Sequence, residues 1–391
     1  MKTIHSIITL LFVGLCVSCN TKKAETLSAA DPQATPEAKQ LFSRLMKLQE
    51  TGTMYGHQDD LMYGHTWWYQ PGRSDIKETV GDYPAIAGFE LGEIETGRER
   101  SLDSVAFAQI TEQVKLFRKM NGIITVSWHA TNPITSQYPG EKHPNGAGSA
   151  WDVRTLSSDD LNAVKSVLPG GENHDNFNRR LTILADYFHT WKDDDGNLIP
   201  FIFRPYHEHS GNFFWWGNTR CTDDEYAELW RYTVRFLREK GLHNILYAYN
   251  TDKVYSLDEF LKGYPGDEYI DMLSIDWYGS GPEFNEAIDK ALHFIDRYAK
   301  EKNKPFALSE CGPISSDLLQ IVKKYTVSHL LTWRNAPLPN LSELEKIPDF
   351  NEEKLEQILV NSASYNTNKA VLKEMFDDPH YLFLQDIQDI Q

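Results

Sequence analysis

Residues 198–204 read LIPFIFR, an apolar run that ends in a charged residue, and it is one of eight similar short runs along the chain. Each run is continuous rather than alternating and rich in Ile, Leu, Val or Phe, which is typical of parallel strands buried on both faces. We therefore predict eight strands. They cover residues 53–57, 85–91, 123–128, 198–204, 244–249, 272–277, 305–309 and 329–333.

The segments between these runs have the apolar spacing of helices. The clearest are residues 104–120, 178–190, 222–240, 285–302 and 315–325, and a further helix over 36–50 precedes the first strand. A repeated alternation of strand and helix predicts the α/β class and a single (β/α)8 TIM barrel. A doubly wound open sheet is the alternative, but it usually has a Gly-rich loop after its first strand, and MYGHQ at 54–58 is not such a loop.

Two glutamates stand at the predicted ends of buried strands, Glu208 after the fourth and Glu310 after the seventh. Barrel enzymes place their chemistry at these carboxyl ends, where strands four and seven face each other across the mouth. A glycosidase needs two carboxyl groups beside the glycosidic oxygen, one protonated and one ionised. A single such Glu would be better explained as a helix cap or as the partner of an arginine. Two of them, each with aromatic neighbours, favour a catalytic pair.

The residues around this pair resemble a known family. The motifs are RPYHE at 204–208, FFWWG at 213–217, DWYG at 276–279, SE at 309–310 and WR at 333–334. Together, and in this order, they resemble the β-mannanases of glycoside hydrolase family 26 over most of the mature chain. The resemblance implies a retaining hydrolase of β-1,4-mannosidic bonds in mannan or manno-oligosaccharides, with Glu208 as acid/base and Glu310 as nucleophile. Endo action and release of mannobiose both remain open.

Further site residues follow from the resemblance. It implies that the sugar is contacted by His129, His207, Trp216, Trp333 and Arg334, with Arg334 on the non-reducing side of the cleaved bond. An unbroken strand would turn His207 away from Glu208. The end of the fourth strand therefore has to bulge or turn if both residues are to reach the site.

The chemistry of the pair adds a supporting residue, Arg204, and gives a second role to Tyr278, which we also expect to contact the substrate. The nucleophile needs donors that favour its ionised form, and Arg204 and Tyr278 are the candidates. Glu208 has to start protonated, which burial among aromatic rings and the charge of Glu310 would favour. A retaining mechanism requires the two carboxyl groups to stand roughly 5–5.5 Å apart.

Ten tryptophans are present, and eight of them lie at strand ends or in the loops that follow. Indole rings pack on the apolar faces of pyranose sugars, so this distribution suits a polysaccharide cleft. Trp151 closes a long loop over 131–151, which we expect to shape one end of the cleft. We expect Trp151 to contact the substrate, and Trp216 and Trp333 to stack on sugar rings.

Charge and spacing argue against other partners. The net charge of −17 argues against nucleic acid and against an anionic surface. We expect no cofactor and no metal site, because the two-residue spacing of His207 and His209 lacks the helical HExxH geometry. DDDGN at 193–197 lacks the ligands of a calcium loop and is better explained as a tight turn. Spacing alone does not decide whether Cys221 and Cys311 pair.

The N-terminus has the features of an export signal. Lys2, a short apolar core over 7–17 and Cys19 after a small residue resemble a bacterial lipoprotein signal. We predict a signal peptide over 1–18, lipidation of Cys19, a flexible tether over 19–37 and a catalytic domain over 38–391. NTKK at 20–23 contains no acidic run of the kind that directs some lipoproteins to the surface. This favours a periplasmic-facing anchor over the cell surface or free secretion.

Three other functions fit parts of this pattern. A relative in the same family acting on mixed-linkage β-1,3-1,4-glucan or xylan would keep the same barrel and carboxyl pair, because substrate choice lies in the shape of the pocket. The presence of both glutamates argues against a non-catalytic glycan-binding lipoprotein. A metal-dependent barrel hydrolase would lose activity with a chelator. His207, Trp333 and Arg334 favour mannan.

Overall fold

The computed structural model describes residues 28–136, 148–153, 162–335, 354 and 368–390, and these form a closed barrel of eight parallel strands. The strands follow one another around the barrel in chain order, and pairing of the first strand with both the second and the eighth closes the ring. Helices lie between successive strands. The predicted α/β class and single (β/α)8 barrel are confirmed.

The strands are β1 (Thr53–Gln58), β2 (Ile86–Glu90), β3 (Ile123–Trp128), β4 (Phe201–Pro205), β5 (Ile245–Thr251), β6 (Met272–Trp277), β7 (Phe306–Cys311), β8 (His329–Thr332) and β9 (Tyr381–Leu382). The helices are α1 (Pro36–Thr51), α2 (Asp75–Val80), α3 (Phe107–Lys119), α4 (Ala163–Val167), α5 (His174–Phe188), α6 (Asp223–Glu239), α7 (Leu257–Phe260), α8 (Pro282–Lys302), α9 (Ser316–Val322), α10 (Lys369–Asp377) and α11 (Leu384–Ile387). The residues of β1 to β8 are all buried, which explains their continuous apolar pattern.

Two strand boundaries differ from the prediction in ways that affect the site. β4 begins at Phe201 rather than at residue 198, because Leu198 pairs antiparallel with Lys192 across the predicted tight turn. β7 continues to Cys311, two residues past its predicted end. Glu310 therefore lies within the strand rather than just after it.

Helix α6 shows how the sequence fixes the outer helices. Thr222 and Glu225 form a capping box, in which each side chain accepts a hydrogen bond from the backbone amide of the other residue. Leu229, Trp230 and Leu237 lie on the buried face of the helix. Burial of one side chain of this size stabilises a fold by roughly 1.5–3 kcal/mol. The buried face therefore contributes more to the position of the helix than its cap does.

Residues 29–35, which the composition assigned to a flexible tether, pack at the amino-terminal end of the barrel strands. Asp31 is buried, and its Oδ2 atom lies 2.8 Å from Nδ1 of His243, just before β5. The amide of Ala30 donates to Oδ1 of Asp271, just before β6, at 2.6 Å. The predicted tether boundary at residue 37 is therefore wrong, because Asp31 is itself buried and the Ala30 amide binds the buried carboxylate of Asp271.

The C-terminal segment covers the same end of the barrel. β9 pairs with Thr53 and Met54, the first residues of β1. Arg44 of α1 donates to the carbonyl of Ile387 in α11 at 2.6 Å. The opposite end, at the carboxyl ends of the strands, is where the predicted site residues lie.

Two remaining expectations concern the ends and the cysteines of the chain. The predicted signal peptide and Cys19 lie outside the described residues. Within the described residues, no helix combines the length and apolar character that crossing a membrane requires. Cys221 and Cys311 are both free.

Asp31→Ala should lower the free energy of unfolding by about 1–3 kcal/mol, because the substitution removes a buried carboxylate that accepts from the Gln33 amide and pairs with His243 and Arg238. Urea denaturation followed by circular dichroism measures the change. Glu301→Ala removes an exposed carboxylate from α8 and should change stability by less than about 0.5 kcal/mol. Equal stability of the two variants would contradict docking of residues 29–35 in solution.

Candidate active site

One buried guanidinium organises the floor of the barrel mouth. Arg204 in β4 donates through Nη1 to Oδ2 of Asp276 at 2.6 Å and through Nη2 to Oε1 of Glu310. All three side chains are buried. Burial by itself lowers the pKa of Arg204, but the charges of Asp276 and Glu310 outweigh it and raise the pKa. Burial also raises the pKa of Asp276 well above its usual range, against the opposing effect of Arg204.

A bulge in β7 brings Glu310 to this guanidinium. Ile275 of β6 pairs with Leu308, whereas the next residue, Asp276, pairs with Glu310, so that Ser309 is an extra residue in β7. The Ser309 hydroxyl donates to Oδ1 of Asp276 at 2.7 Å. Two successive side chains, those of Ser309 and Glu310, therefore face the barrel interior, which regular alternation would not allow.

Each carboxylate oxygen of Glu310 has its own donor. Oε1 accepts from Arg204, and Oε2 accepts from the Tyr278 hydroxyl at 2.8 Å. Burial, followed by the charge of Glu310, raises the pKa of Tyr278 well above its usual range, so the hydroxyl keeps its proton at neutral pH. The structure thus places Arg204 and Tyr278 where the sequence analysis expected supporting donors.

The chain turns sharply after β4, and this turn carries Glu208. β4 ends at Pro205, and Tyr206 and Glu208 both have left-handed backbone conformations, with φ of 50° and 54°. Tyr206 points outward, where its hydroxyl lies 2.9 Å from that of Thr233 in α6. In an unbroken strand, Tyr206 and Glu208 would lie on the same face. The alternation of side chains along β4 ends at Pro205, so the two residues do not share a face. The turn that His207 requires is present.

Three hydrogen bonds hold the turn over 206–208. The Tyr226 hydroxyl donates to the first carbonyl at 2.9 Å, and the Trp216 indole donates to the second at 2.8 Å. The amide of Glu208 donates to Oδ1 of Asn250 at 2.7 Å. These contacts fix a backbone conformation that non-glycine residues rarely adopt.

Asn250, at the end of β5, links this turn to the carboxylate floor. Its Nδ2 donates to Oδ1 of Asp276 and to Oγ of Ser309, both at 2.8 Å, while its Oδ1 holds the Glu208 amide. The side-chain amide of Asn250 therefore fixes the position of Glu208 relative to Asp276. The sequence placed Asn250 at a strand end but gave it no role.

The two candidate catalytic carboxyl groups stand close together. A carboxylate oxygen from each of Glu208, Asp276 and Glu310 lies within 4.8 Å of the other two. This approach fits a retaining glycosidase, whereas an inverting enzyme needs roughly 6.5–9.5 Å to admit a water. Burial raises the pKa of Glu208 well above its usual range, and the charges of Glu310, Asp276 and Asp252 add to the effect. Glu208 is therefore the carboxyl group suited to hold a proton.

Two histidines meet beside this pair. The Nε2 atoms of His129 and His207 are 3.2 Å apart, and Nε2 of His207 lies 3.9 Å from Oε1 of Glu310. Burial lowers the pKa of His207 well below its usual range. Burial also lowers the pKa of His129, but Glu90, 2.8 Å from Nδ1, outweighs it and raises the pKa. Both ring nitrogens of His129 contact protein atoms, and the sugar contacts predicted for His129 and His207 stay predictions.

Sequence reasoning missed Glu90. Its buried carboxylate accepts from the amides of Gly92 and His129 at 2.5 and 2.9 Å, in addition to its contact with the His129 ring. The signal was present, because Glu90 is also a carboxylate at the end of an apolar strand.

Aromatic rings surround His129. Trp151, about half exposed, stacks on it with ring centroids 4.8 Å apart and planes 22° apart, and the Trp333 ring lies 6.0 Å away. Both indoles lie where sugar contacts were predicted.

Trp216 is fully buried and stacks on Phe214, so the prediction that it stacks on a sugar is wrong. Residues 137–147 of the long loop lie outside the described residues, and its effect on the cleft stays a prediction.

Arg334 follows Trp333 beyond the end of β8. It forms an ion pair with Asp103 at 2.9 Å, and its guanidinium carbon lies 6.0 Å from the centre of the Tyr63 ring. Burial raises the pKa of Asp103 to about 6, against the opposing charge of Arg334. The structure places Arg334 at the mouth, and its contact with a sugar stays a prediction. Asp103 was not anticipated.

The same carboxylates are the group with metal-ligand spacing among the described residues. Glu208, Asp276 and Glu310 are close enough to share a cation, but the Arg204 guanidinium already bridges two of them with a positive charge. His209 is not part of this group, because its ring nitrogens lie 3.0 and 2.8 Å from two backbone carbonyl oxygens. The geometry therefore matches a carboxylate–guanidinium network better than a metal centre.

Hydrolysis of a glycosidic bond requires one carboxyl group that holds a proton close to one that attacks as an anion, and the mouth of this barrel supplies that pair beside exposed indoles. The protein is a glycoside hydrolase. The model for glycosyl hydrolase family 26 matches residues 30–349, and the chain belongs to that family. The resemblance inferred from the motifs is confirmed.

Relatives and solved structures agree with this assignment. A mannan endo-1,4-beta-mannosidase from Bifidobacterium adolescentis is 31% identical over 309 residues, which cover 75% of this chain but only 28% of that protein. One from Bacillus subtilis is 26% identical over 353 residues, covering 83% of this chain and 87% of that protein. The structure of a family 26 β-mannanase from Bacteroides ovatus aligns with a TM-score of 0.76 at 33% identity, covering 90% of this chain and 96% of that one.

Proposed function

We propose that this protein is a retaining endo-β-1,4-mannanase. The close approach of Glu208 to Glu310 carries the retaining mechanism. The substrate is supported by the names of the family relatives, which act on mannan as endo-1,4-β-mannosidases. Two indoles, the half-exposed Trp151 and the partly buried Trp333, offer apolar surfaces for pyranose rings.

In the first step, Glu310 attacks the anomeric carbon while Glu208 gives its proton to the departing glycosidic oxygen. The bond to the leaving sugar breaks as the bond to Glu310 forms. Arg204 and Tyr278 hold the two oxygens of Glu310, which aligns the nucleophile. Asn250 fixes the backbone of Glu208, which positions the acid.

In the second step, Glu208 is ionised and removes a proton from water, which attacks the anomeric carbon and releases Glu310. Two inversions at the same carbon retain the β configuration. Once Glu310 carries the sugar it no longer bears a negative charge. The repulsion that favoured protonated Glu208 is thereby weakened, and its change of role from acid to base becomes easier.

Glu310→Ala should abolish hydrolysis of both mannan and 2,4-dinitrophenyl β-mannobioside. Glu208→Ala should lower kcat/KM on mannan by about 10²–10⁴-fold, because the leaving sugar needs a proton. The same variant should still release dinitrophenolate, which needs none, and azide should restore turnover by forming the β-mannobiosyl azide. Proton NMR of the first product that the wild-type enzyme releases from mannan should show the β anomer.

The matched control for the catalytic variants is Glu301→Gln in α8, which should retain wild-type rates. Mixed-linkage β-glucan is assayed beside mannan. Hydrolysis of the glucan alone would overturn the substrate while keeping the carboxyl pair. An α-anomeric first product would contradict retention.

Asp252→Asn should shift the alkaline limb of the kcat/KM profile to lower pH. The charge of Asp252 helps to raise the pKa of Glu208, so its removal makes ionised Glu208 less costly and the catalytic proton is lost at lower pH. Rates on mannopentaose across the pH range measure the limb. Asp195→Asn changes an exposed turn at the other end of β4 and should leave it unmoved. A shift to higher pH would contradict Glu208 as the acid.

We also propose that the chain is exported and anchored through a lipid on Cys19, facing the periplasm. The support is the signal-like pattern over 1–18 and the lack of acidic residues at 20–23. Cells grown with a labelled fatty acid should incorporate label into the wild-type protein but not into Cys19→Ser. Protease added to intact cells should leave the protein uncut. Its digestion under these conditions would place it on the cell surface instead.

A further inference from the structure

Trp68 stands out among the exposed aromatic residues because of its position around the barrel. It follows β1, which pairs with β8, and β8 lies opposite β4 in the ring of eight strands. The leaving sugar departs on the side of Glu208, at the end of β4. The sugars on the non-reducing side of the cleaved bond therefore extend over the ends of β8 and β1.

The indole of Trp68 is supported from below. Its ring is 41% exposed and stacks on Tyr63, with centroids 5.0 Å apart and planes only 5° apart. Tyr63 is buried, forms an antiparallel bridge with Trp68, and donates its hydroxyl to Oδ2 of Asp59 at 2.9 Å. One face of the indole is thus fixed by a buried ring that is itself held by a hydrogen bond.

The segment between Tyr63 and Trp68 is also hydrogen-bonded to the segment that carries Arg334. The indole of Trp67 donates to Oδ1 of Asp75 at 2.7 Å, and Nδ2 of Asn335 donates to Oδ2 of the same carboxylate at 3.0 Å. The guanidinium of Arg334 lies over the Tyr63 ring on which Trp68 stacks. Trp68 is therefore held at a fixed position next to Arg334, with the Tyr63 ring shared between them.

We propose that Trp68 is the platform for a mannosyl residue on the non-reducing side of the cleaved bond, one sugar beyond the residue that Arg334 serves. This subsite rests on the proposed mannanase activity and deepens it. An exposed indole held flat by a buried ring presents a rigid apolar face, which matches the apolar face of a pyranose and loses little entropy when the sugar binds. A chain that reaches Trp68 gains this contact, and a chain one sugar shorter does not.

Two aryl glycosides separate this contact from the rest of the site. On this proposal, the 2,4-dinitrophenyl β-mannobioside ends short of Trp68, and the corresponding β-mannotrioside reaches it. Neither carries a sugar on the reducing side, so the ratio of their kcat/KM values reports the added sugar alone. In Trp68→Ala this ratio should fall by roughly tenfold, the order expected for loss of one stacked ring. The value for the mannobioside should stay within about twofold of wild type.

Two further variants keep the test sharp. Trp68→Phe retains an aromatic face and should keep most of the wild-type ratio. Phe376→Ala is the matched control, because Phe376 is 39% exposed and lies 4.9 Å from the buried ring of Phe383. Phe383 follows β9, which pairs with the amino-terminal end of β1. The ratio for this control should equal that of the wild type.

An unchanged or increased ratio in Trp68→Ala, with mannobioside hydrolysis intact, would overturn the subsite and leave the proposed function standing. A parallel loss on both glycosides would mean that Trp68 supports the fold of the mouth, which also contradicts the proposal. No hydrolysis of either glycoside by the wild-type protein would overturn the mannanase activity and the subsite together.

Discussion

The site depends on one buried positive charge placed among three carboxylates. Glu208, Asp276 and Glu310 approach one another within 4.8 Å inside a barrel whose strands are buried. Without compensation, such a group would take up protons rather than remain charged. Arg204 donates to two of the three, and its own charge is stabilised in return. In the proposed mechanism, this exchange holds the nucleophile Glu310 within reach of the acid Glu208.

The arrangement is asymmetric, and the proposed roles of the two glutamates follow this asymmetry. Both oxygens of Glu310 accept hydrogen bonds, from Arg204 and from Tyr278. Glu208 is instead fixed through its backbone amide, and burial with three neighbouring negative charges raises the pKa of its side chain. In a pair of carboxyl groups, hydrogen-bond donors favour the charged form of one. Burial beside negative charges favours the neutral form of the other, and this difference separates a base from an acid. The division of labour therefore follows from the contacts rather than from the residue type.

The sequence predicted the parts of the structure that repeat. The strands and helices of the barrel follow from apolar periodicity, and Glu208 and Glu310 follow from their place at strand ends. The bulge at Ser309 and the left-handed residues Tyr206 and Glu208 break that periodicity. Their cause is long-range, since partners on other elements hold each of them, and no local pattern encodes those partners.

The aromatic residues show the same limit of prediction from sequence. Trp151 and Trp216 have the same composition signal, each lying in a loop beyond a strand end. Trp151 is about half exposed over His129, whereas Trp216 is fully buried and donates to the turn that carries Glu208. Only packing separates a ring left open to solvent at the mouth from one that supports the turn beneath it. A sequence pattern can therefore count the candidates for a sugar platform without distinguishing between them.

The turn over 206–208 shows why this support is needed. A left-handed conformation at a non-glycine residue costs on the order of 1–3 kcal/mol, and Tyr206 and Glu208 are both in this region. Hydrogen bonds from Tyr226 and Trp216 and to Asn250, each contributing about 1 kcal/mol net, offset part of this cost. In exchange the chain leaves the strand direction at Pro205, so that Tyr206 packs outward while His207 and Glu208 both face the nucleophile. A straight strand could present one of those two side chains to Glu310, but not both.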